Sequence, residues 1–367
     1  MMRATRSLFV TVGLLSMAPF AAAAPSAAGS GPASVDITWM SISNVYYELG
    51  SFGVLTDGYF TRLQAQNFFG GGGGLAQTRS ASTPDAALVK RVLGAITGDA
   101  STIGLLLTGH SHFDHAFDTA TWSALTGAPI IGARSTCLQA QAQAIPVDRC
   151  TTVVGGEKIA VTGGVTMRVI RWNHSGDHLG NPEQHDPVEL AAVPVPDPAT
   201  GGLHAGVAED FPNGGGGRAF LFTVDAPGGP FSWFFQNSAS PSDLNAAIVV
   251  DGTNYGAPLV NLKAALQDAG LAGVDLWIGS GGAQVAQLVL PILKPKAYLP
   301  VHWDGLWGAF LSGVPSKYND SSLASLLSRA GVKLLKPVQY MDKWRLDASG
   351  VKSVPNVAVK QALGFSP

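Results

Sequence analysis

The chain has 367 residues, a formal net charge of −2, 13% charged residues and 46% apolar residues. That much apolar surface excludes a largely disordered chain, and the near-neutral balance gives no pull on a polyanion, so nucleic-acid binding is not expected. The 45 glycines follow no G-X-Y period, which excludes collagen.

Arg3 and Arg6 precede an apolar run from Leu8 to Ala24 that ends in alanines 21–24. A basic start, a short apolar core and a small-residue end predict a secretory signal peptide over 1–24. An Ala/Ser/Gly/Pro-rich flexible leader is expected over 25–34, and one domain over 35–367. The two arginines are not adjacent, so a twin-arginine signal is not indicated. The mature protein is expected in the periplasm or outside the cell, with no stable membrane anchor after signal cleavage. The only cysteines, Cys137 and Cys150, could pair in an oxidising compartment; the other reading is two unrelated buried thiols.

From Val35 the sequence shows short β-rich runs broken at Gly50 and Gly53, read as two or three strands ending near Asp57. The Gly70–Gly74 run lacks the GK[ST] of a phosphate loop and reads as a linker. Thr83 as N-cap, Pro84 at the first helical position and Asp85 near the positive end of the dipole predict a helix over the following AALVKRVLGAI. TIGLLLTG predicts a buried strand, DTATWSALTG a short helix closed by Gly127, and APIIGA another strand. VTMRVIRW, RAFLFTV, FSWFF, VDLWIGS and AYLPV read as strands, and NLKAALQDAGL as a helix. Strands alternating with helices, together with hairpin-like pairs, predict an α/β protein with mixed sheets. Residues 179–217 form a Pro/Gly-rich connection long enough to be either disordered or part of a site.

The stretch that carries chemistry is His110-Ser111-His112-Phe113-Asp114-His115, directly after a buried strand. Three imidazoles and a carboxylate within six residues are ligand types that suit Zn²⁺. His110 and His112 can grip one ion, while Asp114 and His115 can face a second position. A catalytic metal needs further ligands and an open position. His174 in RWNHSGDHLG and His302 in AYLPVHWDG each follow a strand and are the candidates.

With HxHxDH, a strand-end histidine about 60 residues on, and a late PVHW, most of the mature chain resembles the metallo-β-lactamase fold hydrolases. The early ITW and VLTDGYF stretches also resemble the ascorbate-6-phosphate lactonase-like branch. The resemblance implies a four-layer αββα sandwich, two mixed β-sheets flanked by helices, with metals at one edge. It implies His110, His112 and His174 as ligands of a first metal, and Asp114, His115 and His302 as ligands of a second. Asp57 matches an acidic residue that braces the cluster. His178 is the alternative to His174, and His185 and His204 are expected to be solvated. One departure stands out: where the family has an aspartate bridging both metals, this chain has Asn237. A neutral amide bridges two cations poorly, so one tight ion and a weaker second are expected, unless Asp243 or Asp177 substitutes. Zinc is the expected metal, as one or two ions, although iron or manganese would suit the same ligands.

The function these readings support is an exported metal-dependent hydrolase acting on a small-molecule ester, lactone, amide or phosphodiester. Asp114 would orient or deprotonate the attacking water. Trp303 and Trp307 flank His302 and would wall an apolar pocket, or else pack as core aromatics. The alternative function is a degenerate, metal- or ligand-binding member of the fold, motivated by Asn237. The sequence has no G-x-S-x-G elbow to support a serine hydrolase.

Overall fold

The computed structural model describes residues 31–63, 80–98, 102–206 and 209–366. The expected signal peptide, most of the leader and the Gly70–Gly74 run lie outside the described residues. The chain builds most of a first sheet from β1 (Ser34–Ser41), β2 (Asn44–Leu49), β3 (Phe52–Thr56), β4 (Ile103–Leu107), β5 (Ile130–Gly132) and β6 (Cys150–Thr152). It then builds a second sheet from β7 (Lys158–Thr162), β8 (Val165–Arg171), β9 (Arg218–Val224), β10 (Phe231–Phe235), β11 (Leu276–Gly279), β12 (Ala297–Pro300) and β13 (Lys333–Leu334). It returns with β14 (Asp342–Asp347) and β15 (Gly350–Val354) to complete the first.

The sheet orders are β15-β14-β1-β2-β3-β4-β5-β6 and β13-β12-β11-β10-β9-β8-β7. Both sheets are mixed. The first is antiparallel from β15 to β3 and parallel from β3 to β6. The second is antiparallel from β7 to β10 and parallel from β10 to β13. As a result β1, β3 and β4 run in one direction in the first sheet, and β8, β10 and β12 do so in the second. Their C-terminal ends line up along one edge of each sheet.

Strand alternation explains the layering. In β9, Phe220, Phe222 and Val224 belong to the core shared with the first sheet, while Ala219 and Leu221 belong to a separate apolar cluster. Successive residues of a strand point to opposite faces, so both faces of this sheet are covered. The helices on its outer face are α6 (Pro258–Asp268), α7 (Gly282–Leu293) and α8 (Ser321–Arg329), through Leu262, Val289 and Leu327 among others. The first sheet carries α1 (Ala86–Thr97), α3 (Thr119–Thr126) and α4 (Arg134–Ala142), which join the inter-sheet core through Val92, Trp122 and Ala140. The chain is the expected four-layer sandwich. Two further short helices, α2 (Phe113–Ala116) and α5 (Pro182–His185), lie near the site, and α9 (Val357–Leu363) ends the fold.

Several local expectations change. Helix α1 starts at Ala86, and its N-cap is Asp85 rather than Thr83, because the Asp85 carboxylate reaches the Leu88 amide at 2.9 Å. Residues 31–34 of the expected leader are held to the fold: β1 begins at Ser34, and the Gly31 N–H donates to Asp225 O. The described part of 179–217 is folded. It contains α5 and a two-residue strand, Leu203–His204, that pairs with Ala81–Ser82. Cys137 in α4 and Cys150 in β6 form a disulfide.

Candidate metal centre

The residues of the HxHxDH stretch leave β4 together. His110 lies in the turn after the strand, His112 immediately precedes α2, and Asp114 and His115 are in α2. His174 follows β8, Asn237 follows β10, and His302 follows β12. All of these except His302 are less than 9% exposed, and the His302 side chain is 27% exposed. The fold therefore brings together His110, His112, His115, His174 and His302.

Two groups of ligand atoms result. His110, His112 and His174 offer nitrogens within 4.8 Å of one another, with His112 Nδ1 only 3.0 Å from His174 Nε2. The second group closes on Asp114 Oδ2, which lies 2.9 Å from His302 Nε2 and 3.2 Å from His115 Nε2. His302 Nε2 and His115 Nε2 are 3.2 Å apart.

The electrostatics of the two groups differ. Burial, reinforced by neighbouring imidazoles, holds His110 and His174 well below the ordinary histidine range. Burial also brings His112 to about 4. These three are neutral at pH 7, with lone pairs to offer. Burial works against charge on His115 too, but the flanking Asp114 and Asp57 carboxylates outweigh it and push its pKa up to about 10. For Asp114, burial favours the protonated form, yet His115 and His302 hold the carboxyl well below its usual range.

Asp57 sits behind this cluster as a brace. Its Oδ1 accepts from the Gly109 amide at 2.9 Å. Its Oδ2 accepts from Ser43 Oγ at 2.7 Å and Asn237 Nδ2 at 2.8 Å, and lies 2.8 Å from His115 Nδ1. Asp57 and His302 both occupy the left-handed region, at φ 60° and 62°, as does Ile42 at 46°. Such backbone strain persists in side-chain-bearing residues only where the surroundings hold it. Here Asp304 accepts from the Ile42 amide at 3.0 Å and from Tyr340 Oη at 2.8 Å, and the Ile42 carbonyl accepts from the His302 amide at 2.9 Å.

Asn237 is placed differently from a bridge. Its Oδ1 lies 3.1 Å from His110 Nδ1 while its Nδ2 donates to Asp57, so the amide links a candidate ligand to the brace. Gly109 makes this possible, since a Cβ there would overlap the Asn237 side chain. Neither expected substitute reaches the cluster. Asp177 caps the Leu179 and Gly180 amides, and Asp243 bonds Asn173 and His185.

His178 does not join the ligand cluster: its side chain is 72% exposed and faces Asp186 at 3.9 Å, at the wall of a cavity beside His174. His185, expected to be solvated, is buried. Its Nε2 lies 2.6 Å from Asp243 Oδ2, a contact that only the folded insertion creates. The Asp243 carboxylate and backbone carbonyls overcome the opposing effect of burial and raise the His185 pKa. His204 is half-buried against Asp210 at 3.1 Å. The tryptophans pack as core aromatics, Trp303 stacked on Trp39 at 5.3 Å and Trp307 on Phe113 at 5.9 Å. The cavity beside His174 has a volume of about 240 Å³ and is lined by His178, His185, Asp186 and Asp243 as well as by the apolar Ile248 and Val249. Sequence reasoning missed Ser43, Asp304 and Tyr340; nothing about these residue types marks them before the fold juxtaposes them.

The long insertion is pinned over the site by two buried guanidinium groups. Arg218 donates to the carbonyls of Val153 and Gly216 at 3.0 and 2.9 Å and to that of Gly214, and faces Glu189 at 3.5 Å. Arg171 donates to the carbonyls of Gly215 and Val154. Gly214, at φ 70°, passes so close to Ser111 and Ala133 that a side chain there would collide with both.

No protein-family model matches the sequence, and no curated protein matches it. The chain is similar in structure to Igni18, a metallo hydrolase from the hyperthermophilic archaeon Ignicoccus hospitalis. The TM-score is 0.49 at 12% identity, covering 85% of this chain and 98% of that one. It is similar to an isothiocyanate hydrolase from Delia radicum gut bacteria, with TM-score 0.48, 11% identity, and 84% and 98% coverage. It is also similar to the metallo-β-lactamase fold protein YhfI from Bacillus subtilis, with TM-score 0.44, 11% identity, and 85% and 99% coverage.

Proposed function

We propose that this chain is an exported metal-dependent hydrolase of small molecules, with its metal held at the histidine cluster. The observation that carries the reading is the convergence of His110, His112 and His174. Their donor nitrogens lie within 4.8 Å of one another, and the Nε2 atoms of His110 and His112 are buried without a hydrogen-bond partner. A buried polar atom left unpaired is costly. Three neutral imidazoles facing one point fit a borderline-soft dication such as Zn²⁺, and also Fe or Mn. The second group, Asp114, His115 and His302, fits a weaker second ion, since Asn237 is a neutral amide tied to His110 and Asp57 and supplies no bridging carboxylate.

An ion bound there supplies a Lewis acid that brings the pKa of water towards about 7 and polarises a carbonyl or phosphoryl oxygen. The protein's own groups do the rest. Asp114, held ionised, is the carboxylate placed to orient and accept a proton from an attacking water. His302 is the most exposed member; with no second ion bound, it would be the group to face a substrate and stabilise a developing oxyanion. Asp57 and Asn237 hold His115 and His110 in fixed orientations. The cavity beside His174, walled by polar side chains such as His178, Asp186 and Asp243 as well as by apolar ones, suits a small ester, lactone, amide or phosphodiester. Export is supported by the basic-then-apolar N-terminal sequence and by the Cys137–Cys150 disulfide, a bond favoured in oxidising compartments. No helix among the described residues is long and apolar enough to cross a membrane.

The test is elemental analysis of the purified protein combined with a panel of ester, lactone, amide and phosphodiester substrates under added Zn²⁺, beside an Asp114→Ala control. Metal-dependent turnover that the control lacks supports the proposal. Bound metal without turnover on any class favours the second reading, a catalytically degenerate binder, which Asn237 motivates.

A further inference from the structure

Outside the two ligand groups, one half-buried ion pair, His185 with Asp243, lines the cavity beside His174. His185 is 5% exposed, lies in the insertion, and has both ring nitrogens engaged by acceptors. Its Nε2 faces Asp243 Oδ2 at 2.6 Å and its Nδ1 faces the Ser175 carbonyl at 3.2 Å. The same Ser175 carbonyl lies 3.0 Å from His174 Nδ1. A carbonyl oxygen can only accept, so His174 carries its proton on Nδ1 and keeps the Nε2 lone pair free. That lone pair faces His112 Nδ1 at 3.0 Å. Asp243 is itself tied back to the strand end, since its Oδ1 accepts from Asn173 Nδ2, and Asn173 also exchanges hydrogen bonds with the backbone of Ser240 at 3.1 and 3.2 Å.

We infer that His185 and Asp243 are positioning residues for the metal centre, acting on His174 through the carbonyl of Ser175. The relay runs carboxylate, imidazole, backbone carbonyl, ligand imidazole. It fixes the tautomer and ring plane of His174 and makes the 179–217 insertion part of the site. Without it the Ser175 carbonyl loses one of its two donors, and the turn carrying Gly176, at φ 88°, is held by fewer contacts. Partners behind a ligand of this kind change metal affinity by roughly 10–100-fold.

This inference rests on the metal-binding reading above, and the experiment separates the two. Zn²⁺ affinity is measured by chelator competition for the full mature chain and for His185→Ala, Asp243→Asn, His174→Ala and the His174→Ala/His185→Ala double variant, with His178→Ala as control. The thermal midpoint of each metal-free protein is recorded alongside. The expected result is a loss of about tenfold or more for His185→Ala and Asp243→Asn, no change for His178→Ala, and metal-free midpoints close to the parent. The double variant should bind no more weakly than His174→Ala, because His185 acts through that ligand. Unchanged affinity in His185→Ala overturns the inference while leaving the metal site standing. So does an equal further loss in the His174→Ala background, or a loss matched by a collapse of the metal-free midpoint. A parent protein that binds no Zn²⁺ overturns the metal-binding reading itself.

Discussion

Asn237 accepts from His110 Nδ1 at 3.1 Å, and this hydrogen bond turns the opposite nitrogen of His110 towards its fellow imidazoles. The same amide donates to Asp57 at 2.8 Å. An amide can do both; a carboxylate can only accept. Asn237→Asp therefore sets two carboxylates against each other and leaves a charge deficit that a second cation would fill. The expected outcome is near one tightly bound ion per chain in the parent and close to two in Asn237→Asp, by elemental analysis after dialysis. The metal-free variant should melt below the parent. Two tight ions in the parent would show that the amide does not limit the site.

Chelation should destabilise the protein by mass action. An ion present at 100 times its dissociation constant contributes about 3 kcal/mol to the native state. Treatment with EDTA is expected to lower the thermal midpoint, and added Zn²⁺ to restore it. In His110→Ala or His112→Ala the midpoint should respond to neither.

The pH dependence of the metal-free protein has a definite sign. His112 is held at about 4, and His110 and His174 are held well below the ordinary value. In the unfolded chain these imidazoles titrate near ~6.5. Between those limits the unfolded chain binds more protons, so stability is lost as pH falls from ~6.5 towards 4. His115 works in the opposite sense. Raised to about 10, it contributes fully below ~6.5, and that contribution is lost as pH rises towards 10. A thermal-midpoint profile should fall on both sides of neutrality, and the difference between parent and His115→Gln should isolate the alkaline limb.

The Cys137–Cys150 disulfide closes a loop with a sequence separation of 13 residues and ties α4 to β6. By the chain-entropy account, a loop of this size contributes about 3 kcal/mol. Reduction, or Cys137→Ser with Cys150→Ser, should lower denaturant stability by that order. The ion count should not change, because neither cysteine touches the cluster.

Arg218 is 1% exposed and feeds three carbonyls as well as Glu189. Breaking such a buried pair from one side costs about 3–5 kcal/mol. Arg218→Met should therefore destabilise strongly, read as a drop in urea midpoint. Arg218→Lys should rescue only part of it, because an ammonium cannot reproduce the planar fork.

The site was legible where chemistry is concentrated in sequence. HxHxDH announced itself, and His174 and His302 could be read because each ends an apolar strand. Helix α7 was not read: Gly281 caps it, Gly282 opens it and Pro291 lies inside it, all residues that argue against a helix when tertiary packing is unseen. The last three strands and two helices were not read either, although α8 is amphipathic, with Asp320 as its N-cap and Leu323 and Leu327 buried on one face. His185 was misread because the insertion looks polar and loop-like; its burial depends on Asp243, which is 58 residues away. Asn237 was found at the right strand end, but its contacts behind His110 required coordinates.

Each ligand group draws members from both sheets. His110 and His112 come from the first sheet and His174 from the second; Asp114 and His115 come from the first and His302 from the second. A cation seated there would staple the two halves of the sandwich across their seam. Neither half alone carries a complete set, so a chain cut between β6 and β7 should regain metal uptake only when the fragments reassociate. The last strands, β14 and β15, cross that seam as well, and a fragment lacking them would leave the first half with an open edge beside β1.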